Sequence, residues 1–170
     1  FSMNLVTISD QQSLSIDLLD YGARIASIRF NELELALTYS KLEDYLSDSF
    51  YLGATIGPIC NRVNDASMVI EGERFVLPAN EGQNCLHSGG KGFDKQWWSL
   101  GAHGRDHAEF LLEFDLANLG LNGNLSCTAR YTVANGALTI DYSTRCDQTT
   151  FVNLCNHVYL NLSGTSKALD

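Results

Sequence analysis

Apolar and polar positions alternate with period two along much of the chain. Leu14, Ile16 and Leu18 are set against Ser13, Ser15 and Asp17, and residues 25–30 repeat the pattern. Alternation of this kind marks strands with one face buried and the other turned to water. Met68-Val69-Ile70 and Arg74-Phe75-Val76-Leu77 flank Glu71-Gly72-Glu73, a short glycine-bearing connection that predicts a hairpin, and Pro78 ends its second strand. Residues 125–133 and 137–145 are rich in β-branched and aromatic side chains and are joined by Asn135-Gly136, a pair that tolerates the positive φ angles of a type I′ turn. Residues 108–116 precede this hairpin, and residues 149–162 follow it as another long strand-like run ending at Ser163-Gly164. Residues 42–50 carry the only helical spacing, enough for one or two turns. Many strands at hairpin spacing with almost no helix predict an all-β fold, an antiparallel β-sandwich, formed by residues 1–170 as a single domain.

Composition narrows the range of partners. With 45% hydrophobic and 18% charged residues the chain is neither disordered nor membrane-spanning. A net charge of −9, with only 11 Lys and Arg scattered along the sequence, argues against nucleic acid, which needs a clustered basic face. A neutral ligand suits this field better than a highly phosphorylated one. The five cysteines, Cys60, Cys85, Cys127, Cys146 and Cys155, are odd in number and contain no CxxC pair, so they read as reduced, mostly buried thiols. No basic head followed by an apolar stretch opens the sequence, and the expected compartment is the cytoplasm. The glycosylation-type triplets at Asn124 and Asn161 matter only in a secreted eukaryotic protein and carry no weight.

Chemistry gathers between Gly53 and Asp94, where connections carry Asn61-Arg62, Asn80-Glu81, Asn84 and His87-Ser88-Gly89-Gly90-Lys91-Gly92, followed by Trp97-Trp98. The glycines lack GxxxxGK(S/T) or GxGxxG spacing and no clear helix follows them, so a phosphate cradle is not expected. A second concentration lies in residues 151–162, where Asn153, Cys155, His157, Tyr159 and Asn161 fall on one face. Such a face is either a hydrogen-bonded core network or a set of groups converging on a ligand. Planar amides, aromatic rings and imidazoles are what a sugar site needs: hydrogen bonds for hydroxyls, a cover for the ring, and a proton carrier near neutral pH. No third ligand stands at a supporting spacing to the histidines, and no metal is expected. His103 and His107 look like the polar tip of a hairpin.

The run LGATIGPICNRVNDASMVIEGERFVLPANEGQNCLHSGGKGFDKQWW resembles the first conserved block of aldose 1-epimerases, and VNLCNHVYLNL resembles their second. YGARIASI matches the family's usual opening. The resemblance implies a galactose mutarotase-like supersandwich and an enzyme that interconverts the α and β anomers of free hexoses such as galactose and glucose, without a cofactor. It implies that Asn61 and Arg62 hold sugar hydroxyls, that His87 contacts substrate near the reacting centre, that His157 is the general acid, and that Asn156 binds or orients within the same site. Pro58 replaces the family's usual Arg, and Val158 and Leu160 alter the second motif.

The family is about twice as long, and its catalytic glutamate and a substrate-binding aspartate belong to the C-terminal half that this chain does not include. Glu71, Glu73 and Glu81 do not replace them by motif position, so no base is assigned and weak activity at best is expected. Half a sandwich should expose apolar faces and unpaired strand edges, which favours a homodimer. Two other readings remain open: a non-catalytic carbohydrate-binding or assembly module, and an epimerase-like enzyme acting on hexose 6-phosphates through Arg62, Lys91 and Lys95.

Overall fold

The computed structural model describes residues 3–163; Gly164, the expected end of the last run, lies outside them. Four strands form a first antiparallel sheet in the order β1 (Leu5–Ser9), β2 (Leu14–Leu19), β3 (Arg24–Phe30) and β4 (Leu33–Glu34). Three two-stranded sheets follow from the middle of the chain and its end. They pair β5 (Thr55–Ile56) with the late strand Cys155–Asn156, β6 (Arg62–Val63) with β9 (Cys85–Leu86), and β7 (Ser67–Ile70) with β8 (Glu73–Val76). The second four-stranded sheet runs β10 (Ser99–His103), β11 (His107–Asp115), β12 (Asn124–Ala134) and β13 (Ala137–Cys146), and Cys155–Asn156 completes the series as β14.

Alternation places the core between the two larger sheets. From β11 the side chains of Ala108, Phe110, Leu112 and Phe114 point inward, and from β12 those of Leu125, Cys127, Ala129, Tyr131 and Val133. They meet Ile8, Leu14, Ile16 and Leu18 of the first sheet in one continuous cluster. A buried side chain of this size contributes roughly 1.5–3 kcal/mol through removal of apolar area from water, so period two is enforced along β11 and β12 and along β2 as far as Leu18. The arrangement is the expected antiparallel all-β sandwich.

β3 departs from simple alternation because its other face is covered as well. The 3-10 turn Leu42–Ser47 lays Tyr45 over Leu19, Ala26 and Leu52, forming a smaller cluster on the outer side of the first sheet. The two predicted hairpins form as read, with Asn135 and Gly136 at φ 52° and 73°. His103 and His107 close the β10–β11 hairpin, where His107 Nδ1 lies 2.8 Å from Asp106 Oδ1.

Residues 149–162 do not form the long strand their pattern predicts. The segment is extended, but its backbone bonds go to several loops in turn: Asn153 with Pro58 and Cys60, His157 with Gly53 and Ala54, Tyr159 with Leu37, and Asn161 with Leu35. Only Cys155 and Asn156 make a ladder, against β5. A strand pattern encodes exposure of alternate side chains, not the identity of the neighbour that satisfies the backbone.

Candidate functional site

Two extended segments converge to build the site, residues 53–62 and residues 153–159. His157 donates its N–H to Ala54 O at 2.8 Å and accepts the Gly53 N–H at 3.1 Å, which fixes the histidine against the start of β5. Gly53 sits in the left-handed region (φ 64°), and a Cβ there would lie 1.9 Å from Ile25 O, so only glycine lets the three segments approach. Asn156 faces inward: its Nδ2 donates to Gly53 O at 2.9 Å and its Oδ1 accepts the Val158 N–H at 3.0 Å. Beneath it lie the buried hydroxyls of Thr55 and Tyr131, 3.0 Å apart, both also directed at Ala23 O.

The His87 loop is braced from both sides. Asn80 clasps Leu86 as a strand would, donating to its carbonyl and accepting its N–H at 3.0 and 2.7 Å. The buried Ser88 hydroxyl both accepts the Ile59 N–H and donates to the Ile59 carbonyl, each at 3.0 Å. His87 and Ser88 have φ of 51° and 63° and Asn61 has 64°, a clustering of unfavourable backbone that persists only where surroundings over-determine it.

These supports put two imidazoles together. The His87 and His157 ring centroids are 5.2 Å apart and nearly perpendicular at 87°. Tyr51 contacts both, at 4.7 and 5.6 Å, and the Tyr159 ring lies 5.0 Å from His157. His87 Nδ1 accepts the Asn61 N–H at 3.0 Å. An acceptor nitrogen is unprotonated, so a neutral His87 carries its proton on Nε2. Burial first, then the neighbouring His157 and Arg62, hold the His87 pKa down to about 4 against the ordinary 6.5, so this ring is neutral at pH 7.

Polar groups rim the imidazoles. Asn61 is exposed, and its Oδ1 accepts its neighbour's amide, the Arg62 N–H, at 2.9 Å. Arg62 is exposed and makes a two-point ion pair with Glu81, Nε to Oε2 at 2.5 Å and Nη2 to Oε1 at 2.7 Å. Asn61, Arg62, His87, Asn156 and His157 are thus brought together, with Asn156 on the inner side and the others on the outer. Sequence reasoning passed over Tyr51, which stands one residue before the first motif block, and it named Glu81 only to set it aside as a base, without the tie to Arg62 across 19 positions that depends on the loop. Of the polar face expected along residues 153–161, His157 and Tyr159 meet as rings, whereas Asn161 is buried and turns its Oδ1 to Ser163. Among the described residues no group of three or more His, Cys, Asp or Glu could hold a metal ion, and no helix is long and apolar enough to cross a membrane.

Known proteins are similar to this chain in sequence and in fold. The sequence model of the aldose 1-epimerase family matches residues 4–170. An aldose 1-epimerase of Haemophilus influenzae is 31% identical over 98% of this chain and 50% of its own length. Galactose mutarotase of Mus musculus is 35% identical over 92% of the chain and 46% of its own length. The crystal structure of an aldose epimerase homologue from C. elegans superposes with a TM-score of 0.91 at 26% identity, covering 96% of this chain and 52% of that one. Galactose 1-epimerase from Lactobacillus acidophilus superposes at 0.85 with 29% identity, covering 94% and 49%. The chain therefore spans about half the length of the curated relatives it matches. A family match over residues 4–170, with the imidazole pair seated on the two segments that carry the family's motifs, establishes that the chain belongs to the aldose 1-epimerase family.

Proposed function

We propose that the chain supplies the imidazole side of an isomerase that interconverts the α and β anomers of free hexoses such as galactose and glucose, without a cofactor, in the cytoplasm. The observation that carries this reading is the perpendicular pair of imidazoles 5.2 Å apart, one of them neutral with its Nδ1 already engaged. In this reading His157 is the general acid. It protonates the ring oxygen while a base removes the proton of the anomeric hydroxyl, the C1–O5 bond breaks, the aldehyde turns about C1–C2, and closure on the other face returns both protons. His87 presents Nε2–H to a sugar oxygen. Asn61 Nδ2 donates to a hydroxyl, and the paired Arg62 and Glu81 offer a donor beside an acceptor, a match for adjacent hydroxyls. Asn156 acts from beneath the site, holding Gly53 and with it His157.

The base is assigned to the part of the relatives' length that this chain does not span, because Glu81 is committed to Arg62. Loss of a placed acid or base removes roughly 10² to 10⁴-fold, about 3–5 kcal/mol of barrier. Polarimetry of freshly dissolved α-galactose with the longest natural form of the protein should therefore give acceleration over the spontaneous rate and a loss of roughly 10² to 10⁴-fold on His157→Ala. A rate equal to the spontaneous one, unmoved by the substitution, would sink the reading. A non-catalytic sugar-binding or assembly role for the chain alone is favoured by the engagement of Glu81, and calorimetry would then record galactose binding without acceleration. The phosphorylated-sugar reading has less support: of its three cations Arg62 is paired with Glu81, and Lys95 donates to Asp48 O and lies 3.7 Å from Asp94, which leaves the exposed Lys91.

A further inference from the structure

Tyr51 belongs to neither motif, yet its ring touches both imidazoles, His87 at 4.7 Å with the planes at 65° and His157 at 5.6 Å with the planes at 38°. Its backbone is left-handed (φ 61°), which costs a residue with a bulky side chain roughly 1–2 kcal/mol and persists only under constraint. The constraint is Asp48, whose carboxylate is buried and has the chain wrapped around it. It accepts the N–H of Phe50 and the N–H of Leu52, both at 3.0 Å, so the amides on either side of Tyr51 are pinned to one group. Tyr39 Oη donates to the same carboxylate at 3.0 Å.

Arg24 completes the frame. Fully buried, it donates to Asp48 at 2.9 Å and to the carbonyls of Leu52, Asp94 and Tyr21 at 3.0–3.1 Å, and its guanidinium lies over the rings of Tyr45 and Tyr21. A buried ion pair is weak evidence for stability, since desolvation offsets most of the attraction, and apolar replacements of similar volume are often as stable. What this pair does supply is geometry: it joins the loop before β5, the start of β3 and the segment after Gly92 at the one point from which Tyr51 projects.

We propose that Tyr51 is a positioning residue of this site: its ring, set by the buried Arg24–Asp48 pair, fixes the spacing of the His87 and His157 imidazoles and closes one side of His87 to water. The proposal rests on the reading that the two imidazoles serve one sugar. A neutral His87 is required for Nδ1 to accept the Asn61 N–H, and the groups that face it are Tyr51, His157, Arg62 and Glu81. His157 and Arg62 disfavour a second positive charge, Glu81 favours one, and the aromatic ring keeps out the water that would solvate it. Burial, then Asp94, Asp48 and Glu81, raise the Tyr51 hydroxyl, so it keeps its proton at neutral pH and does not act as the base.

The test is NMR of the imidazoles in the unliganded chain, comparing wild type with Tyr51→Phe and Tyr51→Leu, followed by galactose titration of wild type and each substitution in the longest natural form of the protein. In wild type, His87 should show an unprotonated Nδ1 and a titration midpoint near 4. Tyr51→Phe keeps the ring and should leave both unchanged. Tyr51→Leu should stay folded, with a dispersed spectrum, while the His87 midpoint moves toward 6.5 and galactose binding weakens about tenfold. An identical His87 titration in wild type and Tyr51→Leu would overturn the proposal, as would a Tyr51→Phe variant that shifts as far as Tyr51→Leu. If Tyr51→Leu shifts His87 as expected but no variant binds galactose, the positioning role stands and the sugar reading falls.

Discussion

Asp94 is fully buried, and neither of its carboxylate oxygens has a hydrogen-bond partner; the nearest cation, Lys95 Nζ, stays at 3.7 Å. Burial raises its pKa, with Lys95 and Arg24 opposing. An acid whose folded pKa is raised holds its proton where the unfolded chain has lost it, so stability declines as pH rises from the ordinary 3.8 through the folded value. Asp94→Asn removes that titration. Urea unfolding should find the variant more stable than wild type at pH 8, by about 1 kcal/mol, with the advantage shrinking as pH falls toward 4. His87 has the opposite slope. Its folded pKa is depressed to about 4, so between pH 6.5 and 4 the unfolded chain binds more protons and stability falls with falling pH. His87→Gln should flatten this part of the stability curve, and a variant with the wild-type slope would count against the neutral assignment.

At the scale of elements, the site depends on close crossings between segments rather than on one sheet. The Ser88 hydroxyl bridges both backbone polar groups of the buried Ile59, so Ser88→Ala should cost about 1–3 kcal/mol in chemical denaturation and broaden the His87 signals. Gly53 is the tighter junction. It hydrogen-bonds to Ile25, Asn156 and His157, and a Cβ placed there meets the Ile25 carbonyl at 1.9 Å. Gly53→Ala must separate β3 from β5, and the expected outcome is a loss of about 4 kcal/mol or failure to fold, read from the thermal transition. Gly136 offers a control, since its Cβ would meet nothing closer than Ser13 Oγ at 3.8 Å; Gly136→Ala should cost only the backbone strain, about 1 kcal/mol.

At the scale of the whole molecule, β13 ends the second sheet with ten residues, and no strand pairs with its outer edge among the described residues. Phe151, Leu160 and Leu162 are more than half exposed beyond it along the chain. An open edge of this length is a template for a further strand, whether from the remaining length seen in relatives or from a second copy. Sedimentation velocity should show the average mass of the chain rising with concentration. Ser143→Lys, which adds a charge to an exposed position on that edge, should shift the distribution toward monomer. A mass independent of both concentration and substitution would remove self-association from the picture.

The sequence by itself determined the sandwich, the two hairpins with their turns, the short turn at Leu42–Ser47, and the residue types of the site, because period two, Asn-Gly and motif order are local properties of the chain. It did not reveal that residues 149–162 share their backbone among several loops, since alternation records exposure and not partners. Tyr51 was invisible for a related reason: its left-handed backbone and its place between two imidazoles follow from Asp48 and Arg24, which lie 3 and 27 positions away and mean nothing until the chain is folded. Likewise Glu81 was set aside as a base by motif position alone, and its pairing with Arg62 came only when the loop carried the two together. Protonation was the last thing tertiary structure decided, because the state of His87 depends on burial and on charges brought from distant segments, neither of which a linear pattern contains.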